Sequence, residues 1–197
     1  MIQSALRTAL LVITTALLAH SEAPPATPGP PAATADAAAK FSPSIGGELL
    51  DLAKKSLQGF EFKGTSAEVV GGKIKVTFKA GEAYPKIQFP IPEGGWNLSA
   101  FGGVEVTITN PGERKVTAYM RADNPGDEKL EPWNTENLAL APGETKTLQL
   151  NFGKQNGAPA FPLDSARVTA IQLFLVRPKF ETTLMVSDLK AFGSPSA

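Results

Sequence analysis

WNLSAFGGVEVTITNPG, residues 96–112, decides how the chain is read. After Gly103 the apolar side chains fall on every second position. Val104, Val106 and Ile108 alternate with Glu105, Thr107 and Thr109. A period of two is the repeat of a strand with one face buried. Asn110-Pro111-Gly112 ends it, because Pro cannot donate to a ladder and Asn and Gly tolerate turn conformations. Ahead of the strand stands Trp96. An indole there is either a ligand platform with an open ring face or an anchor that starts the strand. Leu98, Phe101 and Val104 follow closely, and Asn97 and Ser99 can cap the turn that feeds the strand. This setting favours the anchor.

The same period runs through most of the chain. KIKVTF (73–78) sets Ile74, Val76 and Phe78 against Lys73, Lys75 and Thr77. KIQFPI (86–91) follows across AGEAYP, and the two together read as a hairpin with Tyr84 near its tip. VTAYMRAD (116–123) sets Val116, Ala118, Met120 and Ala122 against Thr117, Tyr119, Arg121 and Asp123. ENLAL and TKTLQL are joined by Ala-Pro-Gly-Glu, and VTAIQLFLV and TTLMVSDL by Arg-Pro-Lys-Phe. Seven or eight short strands separated by Gly/Pro turns, with no helical crossovers between them, specify an antiparallel β-sandwich rather than a parallel sheet. One helix is expected at the start of the domain. In GGELLDLAKKSLQG, Leu49, Leu52, Ala53 and Leu57 fall at helical spacing, and Gly59 stops the run.

The first forty residues have a different character. Residues 1–22 read as a signal peptide: Arg7, then the apolar ALLVITTALLAH, then small residues. That apolar run is shorter than the ~20 residues a membrane span needs. No Cys follows it, so a lipid anchor is excluded. Residues 23–40 are rich in Pro and Ala and read as a disordered linker. Residues 41–197 are then one domain, secreted or periplasmic once the leader is removed.

Composition excludes several functions. With 19 basic and 19 acidic residues the formal net charge is zero, and no basic stripe invites nucleic acid. There is no Cys, and the only histidine, His20, lies in the leader. Ser-His-Asp and Cys-His nucleophiles and nitrogen/sulfur zinc sites are therefore closed to the domain. Paired carboxylates remain, and glycoside hydrolysis needs only two. Asp123, Asp127, Glu128, Glu131 and Glu136 lie close together in sequence, but among Lys129, Pro and Gly, in what reads as an open loop. That is not the partly apolar cleft that raises a catalytic pKa.

The order of WNLSAFGGVEVTITNPG, VTAYMRADN, LALAPGETKTLQLNF and LDSARVTAIQLFLVRPKFETTLMVSDLKAF resembles galactose-binding-like jelly-roll carbohydrate-binding modules. It is similar in particular to the non-catalytic N-terminal domains of β-agarases and related polysaccharide hydrolases. The likeness spans about Phe60 to Phe192, and Asn97 departs from the Asp usual in that family. It implies a jelly roll that binds polysaccharide or oligosaccharide without cleaving it. It also implies a structural calcium ion, for which Glu61 in GFEFKG and Asp188 in VSDLKAF are the matching positions. Calcium takes six to eight oxygens, many of them backbone carbonyls.

Two sets of residues are candidates for ligand contact. Trp133 lies in DNPGDEKLEPWNTEN, which reads as an exposed loop, with Asn134 beside it as both donor and acceptor. Tyr119, Arg121 and Asp123 share the polar face of one strand, and Gln172 and Phe174 share a face on a later one. The expected function is that of a secreted, non-catalytic polysaccharide binder, alone or beside a separate hydrolase. The competing expectation is an envelope module that binds another protein and has no affinity for sugar.

Overall fold

The computed structural model describes residues 41–43, 46–50 and 56–194. The expected leader and linker lie outside them, as does the centre of the expected helix. Leu49 is buried, and its N–H donates to the Leu189 carbonyl at 3.1 Å.

The strands in chain order are β1 (Glu61–Lys63), β2 (Thr65–Val70), β3 (Lys73–Phe78), β4 (Lys86–Gln88), β5 (Gly103–Thr109) and β6 (Val116–Asp123). They continue as β7 (Trp133–Leu140), β8 (Thr145–Asn151), β9 (Lys154–Gln155), β10 (Ala158–Pro159), β11 (Ala170–Phe174) and β12 (Thr182–Phe192). Two five-stranded sheets result. The front sheet has the order β1-β4-β11-β6-β7, and the back sheet β2-β3-β12-β5-β8. Every strand pairing is antiparallel.

The apolar half of each alternation faces inward. Ile74, Val76, Phe78, Val104, Val106, Ile108, Leu148 and Leu150 come from the back sheet, and Ile87, Ala118, Met120, Ala122, Ile171 and Leu173 from the front. The strand β12 changes phase part-way. Leu184 and Val186 are buried, then Leu189 and Ala191, because a bulge shifts the register between Val186 and Asp188.

The one hairpin read from the sequence and two further turns pass between the sheets instead. KIKVTF and KIQFPI are β3 and β4, which lie in opposite sheets. The true partner of β3 is β2, across Gly71-Gly72, whose φ values of 58° and 75° make the tight turn of a two-residue hairpin. AGEAYP carries the chain from back to front. The turns at 141–144 and 177–180 likewise connect β7 to β8 and β11 to β12 across the sandwich.

Trp96 is an anchor. It packs against the core, and its backbone exchanges hydrogen bonds with Val168 at 2.8 and 3.0 Å. Asn110 fastens one end of the sandwich. Its amide donates to the carbonyls of Arg114 (2.8 Å), Ala141 (3.1 Å) and Leu140 (3.3 Å), and its side-chain oxygen accepts from the Gly112 N–H at 3.0 Å. Asn110→Ala strands these buried groups, and a cost of about 3 kcal/mol is expected. For a domain of this size that lowers Tm by roughly 6–12 °C. A Tm within about 2 °C of the parent in a thermal melt contradicts the role.

Candidate functional site

The outward face of the front sheet gathers the chemistry. Register places Tyr119 of β6 opposite Phe174 of β11 and Asn137 of β7. Phe174 in turn faces Lys86 of β4. One row along, Arg121 lies between Gln172 and Thr135, and Gln172 faces Gln88. In the next row Asp123 lies between Ala170 and Trp133. Paired residues point to the same side, so these residues share one surface.

Two patterns cross that surface. The first is aromatic. The Tyr119 and Phe174 rings stack at 5.3 Å with an interplanar angle of 24°, and Tyr84 meets Phe174 edge-on at 6.4 Å. Tyr84 is 53% exposed, so the string is open at one end. The second is a polar chain. Lys86 Nζ donates to Gln172 Oε1 at 2.9 Å, and Gln172 Nε2 to Asp123 Oδ2 at 3.4 Å. Arg121 grips the same carboxylate through Nε (2.6 Å) and Nη2 (2.8 Å). Its guanidinium also lies 3.6 Å over the Trp133 ring. A bidentate fork held on an aromatic face has a fixed plane, and the N–H groups not spent on Asp123 are aimed in advance. Trp133 also lines a groove of about 620 Å³, with Leu130, Glu131, Gln155, Asn156 and Phe161.

The sequence candidates divide. Tyr119, Arg121, Asp123 and Trp133 come together, with Gln172 and Phe174 beside them. Trp133 is not in the loop, however; it opens β7, and its ring is half-buried. Asn134 does not join them. It is fully buried, on the opposite side of β7 from Trp133. Its amide donates to the Phe161 carbonyl at 2.8 Å, and its oxygen accepts from the Gly153 N–H at 2.8 Å. The correction follows from the strand period: neighbours along a strand cannot face the same ligand. Lys86 and Tyr84 were missed. The alternation of Lys86 and Gln88 with Ile87 and Phe89 carried the signal, but assigning β4 to a hairpin with β3 put it in the wrong sheet.

The two expected calcium ligands are also apart. Glu61 pairs with Gln88 and stands at the β1 edge of the front face. Asp188 points outward from the back sheet, 3.4 Å from Lys190. The Lys190 ammonium is held above its usual range by Glu105 and then Asp188. Glu61 and Asp188 thus belong to different sheets and face opposite sides of the sandwich. Among the described residues no group of three or more acidic, His or Cys side chains converges. Three of the five clustered acids, Asp123, Asp127 and Glu136, are occupied locally. Asp127 caps a short turn through the Lys129 N–H at 3.0 Å, and Glu136 accepts from the N–H groups of Asn156 (2.9 Å) and Asn137 (3.2 Å).

No family model matches the sequence, and no curated protein matches it. Solved structures do match. An exo-β-agarase is similar over 77% of this chain with a TM-score of 0.62 and 12% identity, and an agarase over 75% with 0.61 and 14%. The chain spans only 26% and 24% of those two chains. A family 11 carbohydrate-binding module from Clostridium thermocellum, in complex with a β-1,3-1,4-mixed-linked tetrasaccharide, is covered over 97% of its length, with a TM-score of 0.51 and 14% identity. The fold is an antiparallel jelly-roll β-sandwich. At these identities the likeness is one of architecture, and it agrees with the resemblance read from the order of motifs. Among the described residues, no helix of this jelly roll is long and apolar enough to cross a membrane.

Asn134 separates structural from ligand roles. Asn134→Ala is expected to lower stability by about 2 kcal/mol, since it orphans a half-buried carbonyl and a half-buried N–H. Chemical denaturation with an unchanged midpoint sinks that assignment.

Proposed function

We propose that the outward face of the front sheet binds a polysaccharide, without catalysis. Sugar rings lie on Tyr119 and Phe174, and their hydroxyls bond to Arg121, Asp123, Gln172 and Lys86. The observation that carries this reading is the stacked aromatic string beside a linked polar chain on one sheet face. Aromatic faces offer flat apolar area to the C–H side of a pyranose, and charged groups with spare donors and acceptors suit vicinal hydroxyls. Five strands spaced about 4.8 Å apart give a platform ~19 Å wide. That suits a run of sugar units in a polymer better than one small ligand.

The module solved with a mixed-linked tetrasaccharide supports the reading, because it shares this architecture over nearly its whole length. The agarases support it more coarsely, since their substrate is a polysaccharide too. The non-catalytic reading is supported by Asp127 and Glu136 of the 123–136 segment, which bond to backbone N–H groups, by Asp123, which Arg121 holds, and by the lack of any histidine beyond His20. The leader expected over residues 1–22 supports a location outside the cytoplasm, where such polymers are met, with the linker over 23–40 as a tether.

Affinity electrophoresis against mixed-linkage β-glucan, agarose, xylan and pectin tests the proposal, with calorimetry on the polymer retained. Tyr119→Ala and Phe174→Ala are each expected to weaken binding about tenfold, the equivalent of a stacking contact worth roughly 1.4 kcal/mol. Both variants should keep the parent's circular dichroism and release no reducing sugar. Retention by no polymer leaves the protein-interaction reading in its place.

A further inference from the structure

A second groove, of about 610 Å³, continues from the platform at the end where two inter-sheet turns meet. Tyr119 and Thr117 form its inner wall, and residues 112–116 and 175–182 its rim. Three cations border it: Arg114, Lys115 and Lys179. Among the described residues none of them makes an ion pair or a side-chain hydrogen bond, whereas Lys75, Arg121, Lys146 and Lys190 are all paired. Glu113 and Glu181 share the rim but do not pair with these cations either, so the groove has a surplus of positive charge.

Of the three, Arg114 is the one stacked on an aromatic ring. Its guanidinium lies 4.1 Å over the ring of Phe180, which is itself 52% exposed. Stacking uses the flat face of the guanidinium and leaves its N–H edge free. A planar, oriented fork without a carboxylate is matched by a planar or tetrahedral oxyanion. The aromatic ring also holds the cation in place before any ligand arrives, which reduces the entropy lost on binding.

We propose that this groove takes the carboxylate or sulfate of an acidic sugar unit, in a polymer whose neighbouring rings lie on Tyr119 and Phe174. The inference rests on the platform binding sugar and adds the class of sugar: an anionic glycan. Lys115 and Lys179 supply a diffuse field that attracts the polymer, and Arg114 supplies the directed contact.

Matched polymers test it. Polygalacturonate is compared with its methyl ester, and a sulfated galactan with agarose, so that only the charge differs within each pair. The acidic member of at least one pair is expected to bind about tenfold more tightly than its neutral counterpart. That advantage should shrink in about 0.5 M salt, where charges several ångströms apart are screened. The double variant Arg114→Gln, Lys179→Gln should abolish the advantage while leaving Tm and neutral-polymer binding at parent levels. Equal or weaker binding of the acidic member in both pairs overturns the inference. If Tyr119→Ala still weakens neutral binding in that case, the platform stands without it. If no polymer binds at all, the platform fails and the anionic groove fails with it.

Discussion

A chain that repeatedly leaves one sheet and enters the other exposes backbone groups at every crossing, and the amide of Asn110 satisfies the densest set of them. It ties the β5–β6 crossing to the β7–β8 crossing through three carbonyls. The backbone reinforces the joint: the Asn110 N–H donates to Glu144 and its carbonyl accepts from Gly143, at 2.9 and 2.8 Å. Glu144 closes its own turn by accepting from the Ala141 N–H at 2.8 Å, and Lys146 beside it holds its carboxyl below the usual carboxylate range. Two other asparagines work the same way. Asn124 clamps the backbone of Asp164 and Arg167, and Asn134 joins Phe161 to Gly153. A short amide that both donates and accepts can bridge two loops that share no ladder.

With the ends held, the two sheets can differ on their outer faces. The back face satisfies itself. Thr107 bonds to Thr147, Thr109 to Thr145, Lys75 to Glu68 and Lys190 to Glu105. Its hydroxyls and charges are used up side by side, and pairs of that exposed kind contribute little to stability. The front face instead carries rings half open to solvent and an Arg–Asp pair with donors to spare. Aromatic surface left partly exposed on a regular sheet costs solubility, so its concentration on one face argues for recognition. The difference between the two faces is stronger support for a ligand site than either face considered alone.

Much of this was legible in the sequence, because burial imposes a period of two that survives in the residues themselves. Val104, Val106 and Ile108, or Ala118, Met120 and Ala122, mark their inward faces without help from the fold, and the polar set Tyr119, Arg121 and Asp123 follows from the same count. What could not be read is which strands neighbour one another. A turn such as AGEAYP looks alike whether it closes a hairpin or crosses a sandwich, since both need only reversal and solvated backbone. That ambiguity hid Lys86 and Tyr84. The bulge in β12 was invisible for a related reason: a phase slip at Ser187 resembles imperfect alternation until its partner strand is known. Asn134 was misplaced by adjacency, because nearness in sequence along a strand means opposite faces in space.

The same alternation explains how a fold can persist when identity to similar structures falls to 12–14%. The inward half of each strand is constrained only to be apolar and of suitable volume, which many residues satisfy. The crossings need asparagine-like amides and permissive turns. Nothing in either requirement refers to the outward half. Tyr119, Arg121, Asp123, Gln172 and Phe174 can all change without disturbing the core, so the architecture can pass from one ligand to another by altering that half alone. For this reason the shared fold speaks for architecture alone, and a function has to be argued from the outward residues. In this chain those residues are a stacked pair of rings, a carboxylate held by a forked cation, and beyond them three cations that make no close ion pair among the described residues.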